Sequence, residues 1–218
     1  MRPDRRSVCL GGMAGMVGAL AGCSQIEPAR AEGQDRGPRA NLYACEGCEA
    51  TAERDPQGIS WTAVLAGPEE PGERLRLTGR VYQTDGVTPA PSVIIYAHQT
   101  NAGGLYANGS NETEWSRRHG RLRGWVRTNI DGDYVFETIK PAPYPSMTMP
   151  AHIHLFVQEL GRRPYYIDDV VFDGAFGVDD AYRARQELRG GSGIVRLVGD
   201  ARTGWTAVRD IRLERHPG

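Results

Sequence analysis

His152 and His154 stand one residue apart in Pro150-Ala151-His152-Ile153-His154. On a helix that spacing would point the rings roughly 200° apart. On a strand side chains alternate with period two, so both imidazoles share a face. The Leu155-Phe156-Val157 that follows favours a strand. Two same-side imidazoles are a ready pair of neutral nitrogen ligands. Tyr144, held between Pro143 and Pro145 a little upstream, adds a phenol oxygen that a cation could deprotonate. A lone strand histidine such as His98 is more often structural, but the paired spacing shifts the balance towards a metal. The pair alone names neither metal nor reaction, and a copper or zinc Greek-key protein would use it equally well.

The rest of the chain has to position that pair. It has 218 residues and a formal net charge of −1, enough for one domain with a sizeable core. The absence of a basic bias argues against nucleic acid as a partner. With 28 glycines and 14 prolines against 8% aromatics, turns and short strands should dominate. Period-two or buried-type patterns run over residues 75–82, 92–98, 124–128, 134–138, 151–158, 165–172, 194–198 and 206–213. The turn Asn129-Ile-Asp-Gly-Asp133 reads as a hairpin connection. A helix is expected only over 179–188, and 101–123 reads as a long polar loop of the kind that carries function. This pattern predicts an all-β fold over 73–218, an antiparallel β-sandwich of about eight strands with long loops at the site.

The first 22 residues read as an export signal. Arg2, Arg5 and Arg6 form a positive start, and 8–21 is apolar but short for a membrane span. Leu20-Ala21-Gly22-Cys23 resembles a lipoprotein cleavage site, with Cys23 lipidated. Arg5-Arg6 also fits, in part, a twin-arginine signal. Cleavage removes three arginines and Asp4, a net of +2, and leaves −3. The expected location is therefore the cell envelope, periplasmic or surface, with the membrane touched only through the lipid. Residues 23–40 read as a Pro/Gly-rich tether. Residues 41–72 form an N-terminal extension in which Trp61 and Val64-Leu65 are expected to pack on the main body. Cys45 and Cys48 lie in this extension, and in an exported protein the expectation is a small disulfide loop. His216, next to the C-terminus, is expected to be solvated.

Three segments together resemble the intradiol ring-cleavage dioxygenases, and among them the protocatechuate 3,4-dioxygenase-like members. They are Gln99-Thr-Asn-Ala-Gly-Gly-Leu-Tyr106, Asp131-Gly-Asp-Tyr-Val-Phe-Glu-Thr-Ile-Lys-Pro-Ala-Pro-Tyr-Pro145 and Pro150-Ala-His-Ile-His-Leu155, in the family's order. The resemblance spans about residues 72–175. It implies a non-haem Fe(III) site held by Tyr106, Tyr144, His152 and His154. Two tyrosinates and a hydroxide would balance that charge, and hard oxygen ligands favour the ferric state. It also implies the activity: both atoms of O2 enter a catechol-type ring between the hydroxylated carbons, giving a cis,cis-muconate-type diacid. Tyr144 would be the ligand that yields to the substrate, and Tyr106 would stay. The partners implied are an aromatic diol and O2, and the family's use of N-terminal segments for assembly makes an oligomer an open expectation.

Two departures from the family pattern bear on substrate and rate. Met149 stands where the family usually has an arginine, and Leu105 replaces the arginine usual before the first tyrosine. The loop from Tyr144 to His152 is also shorter. Arg121, Arg123, Arg162 or Arg163 are the candidates for a replacement charge, against a plain solvated role. Met149 also supports a second reading, a sandwich that keeps the shape as a binding or interaction module without turnover. Gln99 matches a family glutamine without an assignable role.

Overall fold

The computed structural model describes residues 37–110 and 112–218; the expected export signal, Cys23 and most of the tether lie outside them. Among the described residues, the elements in chain order are β1 (Thr62–Val64), β2 (Arg74–Tyr82), β3 (Ile94–Gln99), α1 (Glu114–His119), β4 (Arg123–Arg127), β5 (Asp133–Ile139), β6 (His152–Gln158), β7 (Tyr165–Phe172), α2 (Asp180–Arg185), β8 (Ile194–Val195), β9 (Val198–Asp200), β10 (Gly204–Val208) and β11 (Ile211–Arg212). They form two sheets. One has the order β1-β5-β2-β10-β9, with β11 also on β2; the other is β4-β3-β6-β7-β8.

Alternation builds the core. Leu75 and Leu77 of β2 are buried while Arg76 between them is exposed. They join Tyr134 and Phe136 of β5, and from the other sheet Ile95, Val126, Ile153, Leu155 and Ile167, in one apolar cluster. Each such side chain contributes roughly 1.5–3 kcal/mol when taken out of water. All six residues of β3 are buried, because its outer face is covered as well. There Tyr96 and Phe156 pack against Cys48 and Ala50, with Trp115 and Trp125 at the edge. Cys45 and Cys48 are joined in a disulfide, as expected, and the 3-10 turn Cys48–Glu53 follows from it.

The all-β class holds, and the details differ from the sequence reading in three ways. There are eleven strands among the described residues rather than about eight. The predicted runs over 194–198 and 206–213 each break in two. Around the second break, Arg209 buries its guanidinium and donates to the carbonyls of Arg189, Gly190 and Gly191, which turns the chain aside between β10 and β11. The sheets are mixed rather than antiparallel. β1 on β5, β10 and β11 on β2, and β8 on β7 all pair parallel. These are short strands reached by long connections, so no tight hairpin dictates their direction. Finally, α1 forms inside the expected loop. Thr113 and Ser116 cap it reciprocally, a local signal in the sequence Thr-Glu-Trp-Ser.

Of the extension, Leu42 and Leu65 are buried, whereas Val64 on the edge strand β1 and Trp61 just before it are exposed. His216 is not solvated: its ring bonds Tyr43 Oη and, through Nε2, Glu159 at 2.8 Å.

Candidate metal centre

β6 places His152 and His154 on the outer face of its sheet, while Ile153 and Leu155 enter the core. Tyr106 lies in the loop after β3. Asn101 Oδ1 accepts from the amides of Gly103 and Leu105, winding that loop tightly. Gly104 then passes against Pro143: a Cβ there would lie 2.1 Å from the Pro143 carbonyl oxygen, and its φ of +76° is one that glycine adopts freely. Thr100 Oγ1 donates to Ala142 O at 2.7 Å, and the Ala142 amide to Asn101 O. The two tyrosine loops are thereby zipped together. Gln99, without a role in the sequence, bonds Ile139 O and Thr138 Oγ1 and anchors the base of the first loop to β5.

Four donor atoms converge as a result. His152 Nε2 lies 3.1 Å from His154 Nε2, His154 Nε2 lies 3.0 Å from Tyr106 Oη, the two phenol oxygens are 2.9 Å apart, and Tyr144 Oη is 3.2 Å from His152 Nε2. Ligands about 2.1 Å from one ion and at right angles are separated by about 3 Å, so this ring has the dimensions of a coordination shell.

Proton accounting strengthens the case. His152 Nδ1 donates to the Pro150 carbonyl at 2.7 Å, and His154 Nδ1 donates to Asp169 Oδ1 at 2.9 Å. Both Nε2 atoms are then left as lone pairs facing each other. Each can accept from a phenol, His152 from Tyr144 and His154 from Tyr106, and a cation seated in the ring would take the place of those two protons. Burial, with the neighbouring His154 ring, pushes the His152 pKa down, which disfavours the proton. Burial and the Tyr144 hydroxyl push the Tyr106 pKa up, so its phenolate needs a compensating positive charge. A metal cation would supply that charge and accept the imidazole lone pairs as well. The donor set of two imidazoles and two phenol oxygens suits a hard ferric ion.

Asp169 of β7 was not legible as a site residue in the sequence. His152, His154 and Asp169 could be read as a two-histidine, one-carboxylate set, which favours Fe(II). The carboxylate, however, faces Nδ1 of His154, away from the converging Nε2 atoms. It orients the ligand, in the way carboxylates commonly support metal-bound histidines. Its only sequence signal is a second charge in Asp168-Asp169 within an apolar strand.

His98 also belongs to this neighbourhood. Its ring lies 4.4 Å from that of His154 and stacks on His119 at 3.9 Å and 4°. His119 Nδ1 in turn bonds Tyr96 Oη at 2.8 Å. Burial, foremost, lowers the pKa of both rings, His119 to about 4. Three of the four arginines expected to replace the family's charge are engaged elsewhere. Arg121 pairs with Glu70, Arg123 with Glu53, and Arg163 lies over the Tyr43 ring at 4.8 Å. Arg162 sits in the β6–β7 turn, its amide bonded to Glu159 O. Met149 and Leu105, close in sequence to Tyr144 and Tyr106, carry exposed side chains.

Comparison with known proteins agrees with this geometry. Residues 51–190 match the family model described as "Dioxygenase". The chain is similar to a chlorocatechol 1,2-dioxygenase of Rhodococcus opacus, 33% identical over 123 residues, covering 49% of this chain and 46% of that protein. It is also similar to the protocatechuate 3,4-dioxygenase beta chain of Burkholderia cepacia, 34% identical over 100 residues and covering 42% of each. The chain thus spans about half the length of the curated relatives it matches. In fold it resembles the catechol 1,2-dioxygenase of Acinetobacter sp. ADP1, with a TM-score of 0.53 and 23% identity over 72% of this chain and 59% of that one. The dioxygenase domain of a carbohydrate-binding fusion from Streptomyces sp. SirexAA-E gives the same TM-score and identity, over 69% and 86%. The Tyr106, Tyr144, His152 and His154 ring falls inside the matched span, and the chain belongs to the intradiol ring-cleavage dioxygenase family.

Proposed function

We propose that this protein is a non-haem Fe(III) intradiol dioxygenase. It would insert both atoms of O2 into a catechol-type ring between the hydroxylated carbons, giving a cis,cis-muconate-type diacid. The observation that carries the reading is the four-atom ring of Tyr106, Tyr144, His152 and His154, with both histidine Nδ1 protons already spent. These four residues would hold the iron. When bound, Fe(III) supplies Lewis acidity that activates the catechol rather than O2 itself.

The residues divide the remaining work by their burial and tethers. His152 is fixed by the Pro150 carbonyl and His154 by Asp169, so neither ring needs to reorient. Tyr106 is packed beneath Gly120 and beside His98, which suits a permanent ligand. Tyr144 sits on a half-buried turn between two prolines. That position lets its Oη leave the ring of donors and take up a substrate hydroxyl proton. A hydroxide would take the second proton, so that charge stays balanced as a catechol dianion enters. From the sequence of residues 1–23, we also propose that the protein is exported and anchored at the cell envelope through a lipid on Cys23.

The test is direct. Iron-loaded protein should be red-brown from phenolate-to-metal charge transfer, and should consume one O2 per catechol cleaved. A colourless protein that retains zinc or copper would overturn the reading. A coloured protein that consumes no O2 with any catechol would favour the binding-module alternative suggested by Met149.

A further inference from the structure

The disulfide loop reaches the metal centre through a column of rings. Gly47, between Cys45 and Cys48, backs onto the edge of His119: a Cβ there would lie 3.0 Å from His119 Nε2. Its φ of +88° is also one that glycine adopts freely. Glu46 in the same loop pairs with Arg118 of α1, and that guanidinium lies 5.0 Å from the centre of the Trp115 ring. Cys48 belongs to the cluster of Tyr96 and Phe156, against which Trp115 packs. The loop thus grips α1 along its length. On its inner side His119 stacks on His98 at 3.9 Å and 4°, and the His98 ring lies 4.4 Å from that of His154 and 5.6 Å from that of Tyr106. Tyr96 and Phe156 stand farther from His98, at 5.8 and 5.7 Å. Just beyond α1 the chain also touches the tyrosine loop. A Cβ on Gly120 would lie 3.0 Å from Tyr106 Cα, and the Arg121 amide donates to Ala107 O at 2.9 Å.

We propose that His119 is a positioning residue of the metal centre, acting through His98 on His154, and that the Cys45–Cys48 loop is the brace that holds it there. The inference rests on the metal reading of the four donors and goes beyond it. Asp169 fixes the tautomer of His154 by one hydrogen bond. One such bond leaves an imidazole free to tilt about the bond axis. The His98 ring beside it restricts that tilt. His98 is itself buried, and its Nδ1 has no hydrogen-bond partner among the described residues. Its plane is therefore set by the rings packed on it, and His119 is the nearest of them. His119, by contrast, is pinned, with Nδ1 bonded to Tyr96 Oη at 2.8 Å and the disulfide loop behind its outer edge. A gap opened behind His98 would forfeit close contacts and let the column relax. The aim of His154 Nε2 into the donor ring would relax with it.

The iron-loaded full chain tests this through the rate of iron release to a chelator and the position of the visible band. Both are read well below the melting temperature. His119→Ala should shift the band and release iron about tenfold faster, the low end of what losing an outer support of a metal-bound histidine costs. His119→Phe restores a flat ring and should stay within about threefold of the wild-type rate. The Cys45→Ser, Cys48→Ser double variant opens the loop and should speed release by about threefold. In the His119→Ala background the same two changes should add nothing, because the loop acts through the ring already removed. Should His119→Ala not fold, His119→Leu, which fills the space without a flat ring, takes its place with the same expectation. A variant that melts earlier yet keeps the wild-type band and release rate would make His119 merely structural and overturn the proposal. Independent, multiplying effects of the loop and the ring would overturn the brace. A wild-type chain that takes up no iron overturns the metal reading itself, and that result is visible before any variant is made.

Discussion

Asp169 on β7 accepts a hydrogen bond from His154 Nδ1 on β6 at 2.9 Å. This bond fixes the imidazole tautomer and aims Nε2 into the donor ring. Asp169→Ala should free the ring to rotate and to carry its proton on Nε2. The expected result is a loss of about 10–100-fold in iron affinity or activity. Iron content after dialysis against a chelator measures it, and Asp169→Asn, which keeps an acceptor oxygen, should lose less.

Tyr106 and Tyr144 should separate spectroscopically. If both hold the iron, Tyr106→Phe should remove most of the visible absorption, and Tyr144→Phe should leave a band that no longer loses a phenolate contribution when catechol binds. The measurement is a titration of each iron-loaded variant with catechol. Unchanged absorption in Tyr106→Phe would take Tyr106 out of the ligand set.

Gly104 sits at the point where the two tyrosine loops touch. A methyl at this residue would collide with the Pro143 carbonyl, and at a positive φ it would also be strained. Gly104→Ala should destabilise the protein by roughly 1–3 kcal/mol and push the phenols apart. Thermal unfolding reads the first effect. Loss of the charge-transfer band at matched iron content reads the second.

Acid should weaken the metal-free protein through His119. Its folded pKa, about 4, lies below the ordinary histidine value of 6.5, chiefly because of burial. The unfolded chain therefore binds a proton that the folded one refuses. That contribution to stability is full above pH 6.5 and is lost as the pH falls from there towards 4. His98, stacked on it and also lowered by its burial, adds in the same direction. Melting temperature followed across this window should drop, and His119→Asn should flatten the slope.

Much of the candidate centre was legible in the chain. Period-two geometry put His152 and His154 on one face before any fold was known, and alternation located the long strands β2, β5, β6 and β7 closely. The disulfide matches the expectation drawn from the Cys45-x-x-Cys48 spacing on the premise of export. These are local properties, dictated by the backbone repeat and by residues a few positions apart.

What only the tertiary structure decided depends on partners far apart in the chain. Asp169 became a site residue because β7 lies beside β6. Tyr106 and Tyr144 became neighbours because Gly104 lets two loops meet at Pro143. Arg121 and Arg123 were spent on Glu70 and Glu53, which no motif could indicate. The parallel pairing of the short strands likewise follows from long connections rather than from any local pattern. The amino-acid sequence determined which atoms could bind a metal; the packing of distant loops and strands decided that four of them converge, and which charges surround them.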